Sequence, residues 1–202
     1  MSNREDILNS VRRNRPGGVP LPASVSFAEP EGNRVRRFID AVEGCGGQVF
    51  EVTPGQIAPT LAARYPGLTQ IASAIPEEMA GNFALEAVTD PHALAGLDLF
   101  ICRGALGVAE NGAIWVAASS MVHRAAPFLT QHLALVLDST ALVADMHEAY
   151  ARIQVEEEGF GVFIAGPSKT ADIEQSLVIG AHGPRSLTVL LCSEGVTRAS
   201  LL

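Results

Sequence analysis

The apolar positions begin as a helical stripe. Ile7, Leu8 and Val11 share one face, and Ser2 followed by Glu5 has the form of a capping box. That pattern stops at Pro16, Gly17, Gly18, Pro20 and Pro22, because proline removes the amide a helix needs. From Asn33, the residues Val35, Phe38, Ile39 and Val42 give a second helical face, which ends near Gly44, Gly46 and Gly47. Residues 48–52 predict a strand, Ile57, Leu61 and Ala62 a short helix, and residues 68–72 the next strand. Residues 76–91 carry no clear period and are open to reading as an excursion, a hairpin or a loop over a sheet.

Short apolar runs at 97–102, 113–117 and 133–137 predict three further strands, the first two joined by a glycine-rich connection. Leu142, Met146, Ala149, Tyr150 and Ile153 recur at helical spacing, residues 161–165 read as a strand, 172–178 as a helix and 187–191 as a final strand. Helices alternating with continuous apolar strands predict an α/β fold around a mostly parallel sheet covered on both faces. Such sheets place ligands beyond the carboxyl ends of their strands. The expected division is a helix with a Pro/Gly-rich linker over 1–24 and a single α/β domain over 25–202.

With 202 residues, 48% hydrophobic and 18% charged, the chain has the composition of a folded domain with one sizeable core. Its formal net charge of −8 disfavours a broad nucleic-acid-binding surface. Half of the 14 Lys and Arg residues precede residue 38, so Lys169 and Arg185 stand out in an acidic remainder. The 3 cysteines, Cys45, Cys102 and Cys192, are widely spaced and cannot alone supply an iron–sulfur ligand set. Cys102 and Cys192 lie in apolar runs and read as packing residues. The polar amino end and the interrupted apolar runs lead us to expect a cytoplasmic protein with no membrane-spanning segment and no metal site of its own.

Three loops hold candidate chemistry. Arg103 to Ala113 is punctuated by glycines, including Gly107, and delivers Glu110 and Asn111 between two strands. Glu110 is a candidate base or nucleophile; the alternative is that it pairs with Arg103 or caps backbone amides. Gly166, Ser168, Lys169, Thr170 and Asp172 lie between a predicted strand and a predicted helix, where amides and hydroxyls suit an anion. The loop lacks the GxxxxGK[ST] pattern of a nucleotide P-loop, and Thr170 or Asp172 capping the helix is the competing reading. His182, Gly183, Pro184 and Arg185 form a rigid turn that offers a titratable imidazole and a guanidinium able to grip a carboxylate. Arg185 paired with Glu174 or Asp172 is the structural alternative. His123 and His132 could line the same site, and Trp115 reads as core.

The segments GVAENGAI at 107–114, 127–137, GPSKTADIE at 166–174 and GAHGPRSL at 180–187 occur in the order and spacing of the lactate-utilisation protein C family, whose single domain is the LUD domain. The chain resembles that family, mainly in its carboxyl-terminal half. The resemblance implies a NagB/RpiA/CoA-transferase-like fold, three-layer α/β/α with a mostly parallel sheet. It implies a role beside two iron–sulfur proteins that oxidise L-lactate to pyruvate, with clusters in those partner subunits and no cofactor in this chain. Its ligand would be a small carboxylate or phosphorylated compound. An acyl- or sugar-phosphate-handling enzyme using Glu110, with His182 assisting, and a purely structural assembly subunit are the alternatives. The family motif AETGT stands here as AENGA, so Ala113 takes the place of a hydroxyl.

Overall fold

The computed structural model describes residues 3–15, 17, 18, 20, 22, 33–155, 159–173 and 176–193. The chain divides into two compact units, Met1–Pro30 and Glu31–Leu202. The first contains helix α1, Asn3–Asn14, whose apolar Ile7 and Val11 are exposed. Ser2 of the expected capping box lies outside the described residues.

The second unit is built on five parallel strands in the order β1 (Gln48–Val52), β11 (Ser186–Cys192), β6 (His132–Asp138), β3 (Leu99–Arg103) and β2 (Ile71–Ser73). Side chains alternate across a strand, so each apolar run supplies two faces. Leu99 and Ile101 join Ala134, Val136 and Leu190 beneath helix α3, Ile57–Arg64, which adds Ile57 and Leu61. Phe100 and Cys102 turn the other way, with Leu133, Leu135, Leu137, Val189 and Leu191, onto Phe38 and Val42 of helix α2, Arg34–Gly44. The second face also receives Ile114, Val116 and Leu142.

Those last residues belong to a second, mixed sheet that the apolar pattern does not separate from its connections. Its order is β7 (Leu142–Val143), β4 (Leu106–Val108), β5 (Ile114–Ala117) and β8 (Gly161–Ile164). Trp115 and Val108 pack on the outer side of this sheet with Ala149 of helix α5, Met146–Arg152. The short helix α4, Ala126–Leu129, leads into β6. Leu142 therefore sits on a strand, not at the head of a long helix: Asp145 accepts from the Glu148 amide and starts the helix only there.

The largest correction concerns 172–178. The segment is not a helix but part of an antiparallel hairpin, β9 (Lys169–Ile173) with β10 (Ser176–Ile179), in which Thr170 pairs with Val178 and Lys169 with Ile179. Thr170, Val178 and Ile179 are β-branched, and pairing across the hairpin satisfies their backbone groups, overriding the local capping signal. The helix start to which the anion site was expected to owe its amides is therefore replaced by a strand, β9. Among the described residues, no helix is long and apolar enough to cross a membrane.

Candidate functional site

The two glycine-bearing motifs converge on the end of α2. Asn33 opens that helix by accepting from the Val35 amide at 2.8 Å, and its final turn closes with Gly46 N–H on Glu43 O and Gly47 N–H on Val42 O. Gly112, at φ +71°, lies against the helix: a Cβ there would stand 2.7 Å from Val42 N. Gly166, at φ +76°, lies against the next residues, where a Cβ would stand 2.5 Å from Cys45 O. Cys45 thus lies between the motifs, with its Sγ 3.7 Å from Asn111 O, a position the spacing of the cysteines did not reveal. Lys169 is exposed, and its Nζ stands 3.7 Å from where a Gly46 Cβ would be, so its charge lies beside the carbonyl end of α2. Gly107 is buried within β4, beside Phe38, and serves packing.

Glu110 is exposed in the turn from β4 to β5 and accepts a hydrogen bond from the Met146 amide at 3.2 Å, at the first residue of α5. Asn111 Oδ1 accepts from the Ala113 amide at 3.0 Å, which shapes the same turn. No hydrogen bond or ion pair joins Glu110 to His182 among the described residues, and His182 is exposed. Arg103 does not pair with Glu110. It pairs with Glu78 and, at 3.7 Å, Glu77, from the loop whose sequence was least legible.

The second and third motifs meet each other. Ser168 N–H donates to Pro184 O and Gly180 N–H to Ser168 O, each at 2.9 Å, so the hairpin returns the chain directly onto the His182–Arg185 turn. Gly183 fits against Ser168, where a Cβ would come within 2.9 Å of the serine Cβ. The Arg185 amide donates to Gln131 O at 2.8 Å and carries the chain into β11. The Arg185 side chain is exposed, and Glu174, one of its expected partners, lies outside the described residues.

Immediately beyond Arg185, a polar network occupies the amino ends of β6 and β11. His132 Nδ1 lies 2.8 Å from Ser186 Oγ; Tyr65 Oη lies 2.9 Å from Ser186 Oγ and 2.7 Å from the buried Thr188 Oγ1. The Tyr65 and His132 rings are 4.7 Å apart, and the Arg64 guanidinium stands 5.0 Å over the Tyr65 ring while Arg64 Nε donates to Gln48 at 2.8 Å. Burial first, then the charges of Arg64 and Arg185, holds the His132 pKa below its ordinary value, with Asp98 opposing them. Asp98 is already engaged by the Thr69 and Gln70 amides and the Thr69 hydroxyl, and the Gln70 and Thr69 amides hold its own pKa down. Among the described residues, no group of three or more His, Cys, Asp or Glu is placed to hold a metal ion.

The model of the LUD domain matches residues 84–192, a stretch that contains all the motif segments. This chain belongs to the LUD domain family. The LUD chain is 25% identical over 218 residues to an uncharacterized protein of Neisseria meningitidis serogroup B, covering 94% of itself and 93% of that relative. It is 36% identical over 92 residues to a lactate utilization protein C of Shouchella clausii, and 34% over 93 residues to one of Bacillus pumilus. Those alignments cover 43% of this chain and span 40% and 39% of the two relatives' lengths. In three dimensions it is similar to a DUF162 family protein of Deinococcus radiodurans, with a TM-score of 0.64, 16% identity, and coverage of 79% of this chain and 96% of that one. That likeness supports the α/β fold, a mostly parallel sheet flanked by helices.

Proposed function

We propose that this LUD chain is an accessory subunit of a system that oxidises L-lactate to pyruvate, binding a small oxyanion while iron–sulfur partner proteins carry the electrons. The observation that carries the reading is the 36% identity over 92 residues to a lactate utilization protein C, beside the LUD domain match over residues 84–192. The cysteine chemistry supports the assignment of clusters to partners. Burial pushes the Cys102 thiol far up, and burial with the charges of Glu78 and Asp138, opposed by Arg103, pushes Cys192 up to about 11. With Cys45 these make three widely spaced cysteines, short of a full ligand set for a cluster.

The test has two arms. A strain lacking this chain is grown on L-lactate with and without a plasmid copy; restored growth is expected only with the copy, and equal growth without it overturns the role. Purified chain, alone and mixed with the iron–sulfur proteins, is titrated calorimetrically with L-lactate, pyruvate and inorganic phosphate. Saturable heat from at least one is expected, and none in either setting removes the oxyanion from the reading.

A further inference from the structure

We propose that the oxyanion site lies at the amino ends of β6 and β11, between Arg64 and Arg185, over the His132–Ser186–Tyr65 network. This locates the ligand of the reading above and rests on it. Arg64 and Arg185 come from distant parts of the chain, the end of α3 and the turn before β11, and both charges act on the same half-buried imidazole. Asp98, the acid nearest the ring, offsets them only in part: its Oδ2 is held by three local donors, and it makes no ion pair with either arginine among the described residues. An anion between the guanidinium groups would supply the missing charge.

Both cations are aimed by packing. The Nε bond to Gln48 and the face of Tyr65 fix Arg64, leaving its terminal amino groups for a ligand. The Arg185 stem runs against Gly180, where a Cβ would stand only 2.5 Å from Arg185 Cγ. Ser186 Oγ, itself held by Tyr65 Oη, occupies His132 Nδ1, so the imidazole's Nε2 is the nitrogen left to meet a ligand. Two guanidinium groups and one imidazole suit a carboxylate or a phosphate, and free L-lactate, pyruvate and inorganic phosphate separate these sources.

The discriminating readout is the imidazole itself. In proton–carbon NMR spectra of the full chain, assigned with a His132→Gln variant, the His132 pKa is measured at constant ionic strength with chloride, then with each anion. A bound anion offsets the two arginines, so the His132 pKa should rise saturably, and Arg64→Gln/Arg185→Gln should weaken the apparent affinity at least about tenfold, the loss of one charge-assisted contact or more. Arg64→Lys/Arg185→Lys should keep part of it, and an unchanged urea midpoint in both double variants excludes unfolding as the cause. A response to phosphate alone assigns the site to a phosphorylated ligand; a response to lactate or pyruvate assigns it to a carboxylate. Saturable binding that leaves His132 unmoved, or that survives the glutamine double variant, overturns this location and leaves the accessory role standing. Absence of saturable binding by all three anions removes both the site and the oxyanion.

Discussion

The two ends of the parallel sheet carry polar clusters of opposite character on one face, beneath α3. At the amino end, Arg64 and Arg185 overlook a neutral-leaning His132 inside a complete chain of hydroxyl contacts. At the carboxyl end, Arg103 is claimed by Glu78 and Glu77, with Cys192 and Asp138 close by. Ligands of parallel sheets normally gather beyond the carboxyl ends of the strands. Here that edge neutralises its own cation and keeps an excess of acid, with Glu78 Oε2 buried and meeting no donor among the described residues. An anion is repelled there and attracted at the opposite edge. Strand direction alone therefore points away from the proposed site, and the balance of charge at each edge points toward it.

The strongest way to break the amino-end cluster without touching the carboxyl end is Gly166→Ala. The residue sits at φ +76° with the Cys45 carbonyl 2.5 Å from a would-be Cβ, and it seats the turn that carries the hairpin back onto Arg185. A left-handed backbone costs a non-glycine residue about 1–2 kcal/mol, and overpacking adds about 1–3. A loss of about 3 kcal/mol in urea unfolding is expected; a loss below about 1 kcal/mol would mean that the motif is not braced on α2.

At the carboxyl end, Arg103→Ala leaves Glu78 almost enclosed without its guanidinium partner, since the Glu78 side chain is only 11% exposed. A destabilisation of about 2 kcal/mol is expected, the cost of stripping a charge-assisted bond from a buried carboxylate. Arg103→Met/Glu78→Met should recover much of it, because no charge is then stranded. Oxyanion affinity in both variants should match the parent chain. A large loss of affinity would move the site to the edge where parallel sheets usually hold it.

A smaller effect, opposite in sign to that of a salt-bridged histidine, is expected from pH. The folded chain holds the His132 pKa below its ordinary 6.5, so the unfolded chain binds more protons between the two values. This contribution to stability is complete above about 6.5, is lost as pH falls through that value toward the folded one, and shrinks when a bound anion raises the folded pKa. The groups facing the ring are Arg64 and Tyr65 from α3 and the residue after it, Arg185 and Ser186 at the head of β11, and Asp98 before β3. His132→Gln should flatten the acid limb of stability against pH, measured by urea midpoints with and without phosphate. An unchanged limb would mean that the network does not govern this titration.

How far the sequence revealed these clusters follows from the range of each interaction. The strands at 99–103, 132–138 and 186–192 were legible because their apolar runs are buried on both faces, and α2 because one stripe meets the core. The hairpin over 169–179 was not: a threonine and an aspartate beside a short apolar run mimic a helix start, and only Gly166 packed on Cys45 and cross-strand pairing decide otherwise. Arg185 was legible as a candidate from its rigid turn. Its companion Arg64 was not, since 121 residues separate Tyr65 from Ser186 and no local spacing joins them. Glu78 stayed hidden for the same reason, in a loop without a period whose role is set by the end of a strand 25 residues away.

Glu110 offers the finest test, because its motif invites a catalytic reading while its contacts describe a cap. The carboxylate is exposed and accepts one bond, from the Met146 amide at 3.2 Å. The same helix start is held by Asp145 on the Glu148 amide at 2.8 Å and by Glu148 on the Ala144 amide at 2.7 Å. Glu110→Gln keeps an acceptor oxygen and removes only the charge near the first turn, which is worth about 0.5 kcal/mol at an exposed position. A urea midpoint lowered by that small amount is expected, with oxyanion affinity unchanged and L-lactate-dependent dye reduction by the reconstituted proteins at the parent rate. Because folding and binding are measured separately from turnover, a rate at least about tenfold lower with both intact has one meaning. The chemistry would then lie at the β4–β5 turn, on the opposite face of the sheet, and the amino-end cluster would hold a ligand that does not react there.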